Sequence, residues 1–173
     1  SFMNTTFSGT GTKRFTGGNI ALNGDIGAGG LEIASGNWSG TSTIADTLNW
    51  TAGNLVGLPT IGVGSVLNLS GSGLKFISGA GGSVGFINEG TMVWSDSGNF
   101  QIENGGFIVN QVGATFEARA DASLIQTGPG ASNFVNSGTF IRSVGTTTVA
   151  VVFNFTNTGI VNVQSGSMDL QGS

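Results

Sequence analysis

The chain has 173 residues, five Lys or Arg, nine Asp or Glu and a net charge of −4. That is the size of one domain, and so few cations, with Lys13-Arg14 the only basic pair, exclude a nucleic-acid surface or an anionic-membrane surface. His, Cys and Tyr are all absent, which removes Ser-His-Asp and Cys-His catalysis, disulfides and most zinc sites.

Charged residues make up only 8% of the chain and Gly 32 of its residues, with two Pro. Many Gly with little Pro suits tight corners between short strands. Helix signals are nearly absent, because Gly or Asn interrupts every candidate window. The longest apolar run, Val149–Phe153, is far short of the roughly 20 residues a membrane-spanning helix needs.

Short pieces of alternating polarity run the length of the chain. In order they are Ile20-Ala21-Leu22, Leu31-Glu32-Ile33, Leu48-Asn49-Trp50, Val66-Leu67-Asn68-Leu69, Phe100-Gln101-Ile102, Val161-Asn162-Val163 and Met168-Asp169-Leu170. In most of them a polar residue sits between two apolar ones, the period of a half-buried strand. Gly, Ser, Asn or Asp bounds each piece.

From residue 86 a longer repeat emerges. Phe86-Ile87-Asn88-Glu89-Gly90-Thr91 returns as Ile108-Val109-Asn110-Gln111-Val112-Gly113, Phe134-Val135-Asn136-Ser137-Gly138-Thr139 and Phe155-Thr156-Asn157-Thr158-Gly159-Ile160. The Asn residues are 22, 26 and 21 apart. Trp50 and Trp94 are 44 apart, two periods, with residues 66–69 between them as an intermediate coil. A period in the twenties marks a solenoid, one repeat per turn. The predicted fold is all-β: a right-handed parallel β-helix (β-solenoid) of seven or eight coils with a period of about 22 residues. With strands about 4.8 Å apart, it forms a rod roughly 35 Å long. Asn88, Asn110, Asn136 and Asn157 are expected at equivalent corners, and Phe116, Phe140 and Val161 inside the rod. Ser1-Phe2-Met3 reads as an artificial leader, and residues 4–173 as one solenoid domain excised from a longer repeat protein, whose neighbouring repeats would stack on its ends.

The phrases at 136–141 (Asn-Ser-Gly-Thr-Phe-Ile) and 155–170 resemble the repeats of large bacterial exoproteins, namely autotransporter passenger domains and filamentous-haemagglutinin-like adhesins. The resemblance covers about 86–173 and is looser before that. It implies an extracellular or cell-surface setting and a structural or adhesive role. It carries no catalytic residue.

Candidate chemistry is sparse. No catalytic residue, cofactor or metal is expected. Trp38, Trp50 and Trp94 are candidates for a sugar-stacking platform, set against core packing, since Trp50 and Trp94 alternate in phase with Leu48 and Met92. Asp96 with Glu117, and Asp25 with Asp46, are each 21 apart, as stacked carboxylates of a glycosidase would be. Lys75, 21 before Asp96, makes a solvated ladder the plainer expectation for that pair. The stretch 23–30 has the glycines of a calcium loop but few of its acidic ligands, which favours a Gly-rich corner. Thr41-Ser42-Thr43 and Thr146-Thr147-Thr148 do not recur at the coil period, so no regular Thr rank is evident, and an ice-binding solenoid stands as the second alternative after a carbohydrate-active enzyme fragment.

Overall fold

The computed structural model describes residues 1–79 and 82–171. Among them there are strands, turns and bends but no helix, in about eight turns of a parallel solenoid. Each full coil visits three faces. Face 1 is built by Thr47–Trp50, Val66–Leu69, Thr91–Trp94, Thr115–Ala118, Thr139–Arg142 and Ile160–Val163. Face 2 holds Gly53–Leu55, Lys75–Ser78, Phe100–Glu103, Leu124–Thr127, Thr148–Val152 and Ser167–Leu170. Face 3 holds Thr41–Ala45, Leu58–Ile61, Gly85–Asn88, Phe107–Asn110, Asn133–Asn136 and Asn154–Asn157. Two longer strands start the rod: Arg14–Gly27 runs through all three faces, and Leu31–Ser39 through the first two.

Alternation decides which side chains enter the rod. On face 1 the inward column Leu31, Leu48, Leu67, Met92, Phe116, Phe140, Val161 is in register from coil to coil. Phe116 holds its place despite sitting six residues after Asn110, because residues 111–114 form a longer corner, closed by Ala114 N–H donating to the Gln111 carbonyl at 3.0 Å. Residues 62–65 make the same turn, with Ser65 N–H on the Gly62 carbonyl at 3.0 Å.

The spacing is not uniform. Leu31 and Leu48 are 17 residues apart, Leu48 and Leu67 are 19, and Leu67 and Met92 are 25. Trp50 does stack through Leu69 to Trp94, but over coils of 19 and 25 residues rather than two of 22. The later coils are longer because two corners grow: that from face 1 to face 2, from residues 51–52 to residues 70–74, 95–99 and 119–123, and that from face 2 to face 3, from residues 56–57 to residues 104–106 and 128–132.

Aromatic rings fill the interior in two groups. Trp38, Trp50, Phe86, Phe100 and Trp94 form a chain of ring pairs 5.6–6.5 Å apart. Phe116, Phe134, Phe140 and Phe155 form the second, with centroids 5.1–5.8 Å apart. Fully burying each such ring contributes on the order of 1.5–3 kcal/mol.

The first residues belong to the same ladder. Phe2–Met3 pairs in parallel with Leu22–Asn23, and Phe2, Phe7 and Phe15 pack as a trio 5.3–6.3 Å apart at that end of the rod. Their path explains the Gly-rich stretch at 23–30. Asn4 Oδ1 accepts the Asp25 N–H at 3.0 Å, where a Cβ on Gly24 would lie 2.1 Å from that oxygen. A Cβ on Gly29, at φ +51°, would lie 2.2 Å from the Phe7 carbonyl oxygen. The glycines let the N-terminal segment lie flat on the first coil.

Candidate functional site

The four repeat asparagines form one continuous ladder at the corner between faces 3 and 1, with Asn88, Asn110 and Asn136 buried and Asn157 exposed. Asn88, Asn110, Asn136 and Asn157 are in register. Each Nδ2 donates to the next Oδ1 at 2.7 Å, three times in succession. The second Nδ2 proton of Asn88, Asn110 and Asn136 goes to the carbonyl of Thr115, Thr139 and Ile160 at 2.8–3.1 Å. The ladder therefore ties each corner to the face-1 strand of the next coil. Below Asn88 the column continues as Ile61, Ile44 and Ile26, which have no donor to offer. Asn88 Oδ1 is accordingly buried without a partner. Shorter ladders decorate the outside: Asn54 to Asn37 to Asn19 on face 2, and Asn68 to Asn49 on face 1.

The tryptophans do not form a sugar platform. Trp38, Trp50 and Trp94 are each 0% exposed, so no ring face is available to a ligand. The face-2 positions of Trp38 and the face-1 positions of Trp50 and Trp94 all point inward. Trp50 donates its indole N–H to the Ala52 carbonyl at 2.9 Å, while those of Trp38 and Trp94 are buried without a partner.

The carboxylate pairs are not assembled either. Asp96 sits at a corner with Lys75, whose Nζ lies 2.7 Å from Oδ2 and 2.9 Å from Oδ1 and also donates to the Gly73 carbonyl at 3.1 Å. Both residues are buried, not solvated. Burial lowers the Lys75 pKa and raises that of Asp96, against the pull of the ion pair. Glu117 is in register with Val93, three residues before Asp96, and faces outward. It accepts from Arg119 at 2.8 Å and from Ser143 at 2.5 Å, and the Arg119 bond holds its carboxyl below the usual range. The expected Lys75–Asp96–Glu117 ladder thus stops at its second member. Asp25 pairs in register with Thr43, not with Asp46. Among the described residues no three acidic side chains gather as metal ligands would.

A second buried cation was missed. Arg142 is fully buried, donates to the Ala120 carbonyl and meets Asp121 at 2.5 Å. Asp121 also accepts the backbone N–H groups of Thr147 and Thr146, which with Arg142 hold its carboxyl below the usual range. Both buried cations were readable by parity: Lys75 alternates in phase with Ile77, and Arg142 with Phe140.

A threonine rank does exist, though not where the triplets stand. Thr91, Thr115 and Thr139 lie side by side on the outside of face 1, with Val66 and then Thr47 continuing the column. The next outward column reads Glu32, Asn49, Asn68, Val93, Glu117, Ile141, Asn162, a mixture of charge, amide and hydrocarbon. Three consecutive Thr bounded by Val66 and Ile160, beside a mixed column, are not a regular two-rank Thr surface.

A concavity of about 690 Å³ lies at the N-terminal end of face 1. The loop 9–13 forms one wall, and Gly29, Glu32, Asn49, Thr51 and Ser70 line the rest. Arg14 Nε donates to Glu32 Oε2 at 2.7 Å and Thr51 Oγ1 to Glu32 Oε1 at 2.8 Å, and the Arg14 bond keeps the Glu32 carboxyl ionised below its usual range. Lys13 Nζ donates to the Gly9 carbonyl at 2.7 Å.

Comparison with protein-family models, curated proteins and solved structures found no match to this chain.

Proposed function

We propose that this chain is a non-catalytic structural and adhesive β-solenoid segment of a secreted or cell-surface bacterial protein. The observation that carries this reading is the disposition of its polar chemistry. The buried carboxylate Asp96 is held by Lys75, and the Asn ladder joins coil to coil. Arg142 is buried on Asp121, and the outward columns of face 1 carry Thr, Asn and Glu side chains along a continuous parallel ladder. A stacked rod of this kind offers an extended lateral surface for display. The bacterial and extracellular setting rests on the resemblance of residues 136–141 and 155–170 to exoprotein repeats. Its partners are then further repeats stacked on its ends and glycans or cell surfaces on its sides.

The competing reading is a fragment of a carbohydrate-cleaving enzyme. Glycosidases hold two carboxyl groups about 5–9.5 Å apart in one cleft, whereas Asp96 is turned to Lys75 and Glu117 to Arg119 and Ser143. A broad polysaccharide-degradation screen separates the two. The display reading predicts no turnover by the wild type. Turnover that disappears in an Asp96→Asn, Glu117→Gln double variant would establish the enzyme instead.

A further inference from the structure

Of the five Lys and Arg residues, four have a carboxylate partner: Arg14 with Glu32, Lys75 with Asp96, Arg119 with Glu117 and Arg142 with Asp121. Lys13 alone has none among the described residues. In a chain of net charge −4, a lone cation inside a concave wall is an unmatched charge. Its ammonium has three protons, and one is used, on the Gly9 carbonyl. That bond also holds the loop 9–13 closed on itself and keeps Nζ at the cleft.

We propose that the cleft between the loop 9–13 and face 1 binds a saccharide that carries a carboxylate, of the uronic or sialic acid type. Lys13 Nζ takes the carboxylate, as an unpaired ammonium with two free donors does. Asn49 and Thr51 on one coil and Ser70 on the next line the floor and take sugar hydroxyls. Glu32 faces the same space and accepts a further hydroxyl proton. Arg14 and Thr51 already fix its carboxylate in place, so it is preorganised. Besides Lys13 and Glu32, the lining is Gly, Thr, Ser and Asn, with no Ala, Val, Leu, Ile, Met or aromatic residue. That lining suits a ligand with hydroxyls on every side and offers no seat for the side chains of an acidic peptide. The outward residues repeat along the rod, so a short oligosaccharide can lie along the rod axis.

This assignment rests on the display reading above and specifies its ligand. The test uses the whole chain with four probes: trigalacturonate, its fully methyl-esterified form, 3′-sialyllactose and lactose. Binding is measured by titration calorimetry for wild type, Lys13→Gln and Lys13→Arg. At least one acidic probe should bind, roughly tenfold more tightly than its neutral counterpart, since a hydrogen bond to a charged group carries about that factor. Lys13→Gln should lose that preference, and Lys13→Arg, which keeps the charge and controls for folding, should retain it. Equal binding of acidic and neutral probes, or a preference unchanged in Lys13→Gln, would overturn the assignment while leaving display by another face intact. So would failure of both acidic probes to bind. Turnover of any probe would overturn the display reading as well.

Discussion

Replacing Asn110 by Leu should cost clearly more than the same change at Asn88, although both are fully buried rungs of one ladder. Asn110 takes part in three side-chain hydrogen bonds: it accepts from Asn88 and donates to Asn136 and to the Thr139 carbonyl. Each is worth about 1 kcal/mol net. Its removal also strands Asn136 Oδ1 while Asn88 Oδ1 stays unpaired, which adds about 1–3 kcal/mol for a second buried orphan. Asn88 takes part in two bonds, both as donor. Its removal strands Asn110 Oδ1 but abolishes its own orphan oxygen, so the number of unpaired acceptors does not change. The leucine gains the same apolar burial in either variant, and this cancels in the comparison. Asn110→Leu should therefore be less stable than Asn88→Leu by about 2–4 kcal/mol. The three buried tryptophans report the loss in urea unfolding followed by fluorescence. Equal midpoints, or a larger loss at Asn88, would refute a directional ladder that starts at Asn88.

Phe140→Ala should lower stability by about 3–5 kcal/mol, since its ring is fully buried among Phe116, Phe134 and Phe155, and a loss under about 1 kcal/mol in denaturant unfolding would contradict that placement. Lys75→Met should cost about 3–5 kcal/mol by leaving Asp96 buried without its cation, and adding Asp96→Leu should restore most of it; calorimetry of the single and double variants decides. Asp121 has a depressed pKa in the folded state, so its contribution is present above its unfolded pKa near 3.8 and is lost as pH falls through the folded value. The stability gap between wild type and Asp121→Asn should accordingly be constant above about pH 5 and shrink below about pH 4 in urea titrations.

The repeat half of this fold was legible because its signals are local. Asn-x-Gly recurs at Asn88, Asn136 and Asn157, and Asn110 keeps the apolar pair before it with the Gly one residue later, so all four stack. Phe116, Phe140 and Val161 followed from their offsets to those residues. The N-terminal coils were harder, because they are shorter and lack the Asn rung, with Ile26, Ile44 and Ile61 in its column. The packing of residues 2–7 beneath the first coil had no periodic signature; its trace was the run of glycines at 23–30, which suggests a corner but not what lies on it. The Thr91, Thr115, Thr139 rank was hidden because the triplets drew attention, while the rank uses one Thr per coil at a fixed place after the corner. The ion pairs were misread for want of parity: spacing linked Lys75 to Asp96, but only the phase with Ile77 says that the pair is inside. The cleft has no sequence signature, since Lys13, Glu32, Asn49 and Ser70 meet only once the coils stack.

Beneath the functional reading lies one claim: outward residues recur once per coil, so a lateral face is a regular surface. The chain has no Cys, so pairs of introduced cysteines can carry spin labels without interference. With one label at Thr47 and the other at Thr115, Thr139 or Ile160, the pairs span three, four and five coils of the same outward column. Strand spacing of about 4.8 Å predicts backbone separations near 14, 19 and 24 Å, rising by the same step each time. A series of electron–electron distances that rises in that order by about 5 Å per coil is the predicted result. Distances that fail to increase, or that jump by more than about 10 Å between neighbouring pairs, would contradict the stacked column and the display surface built on it.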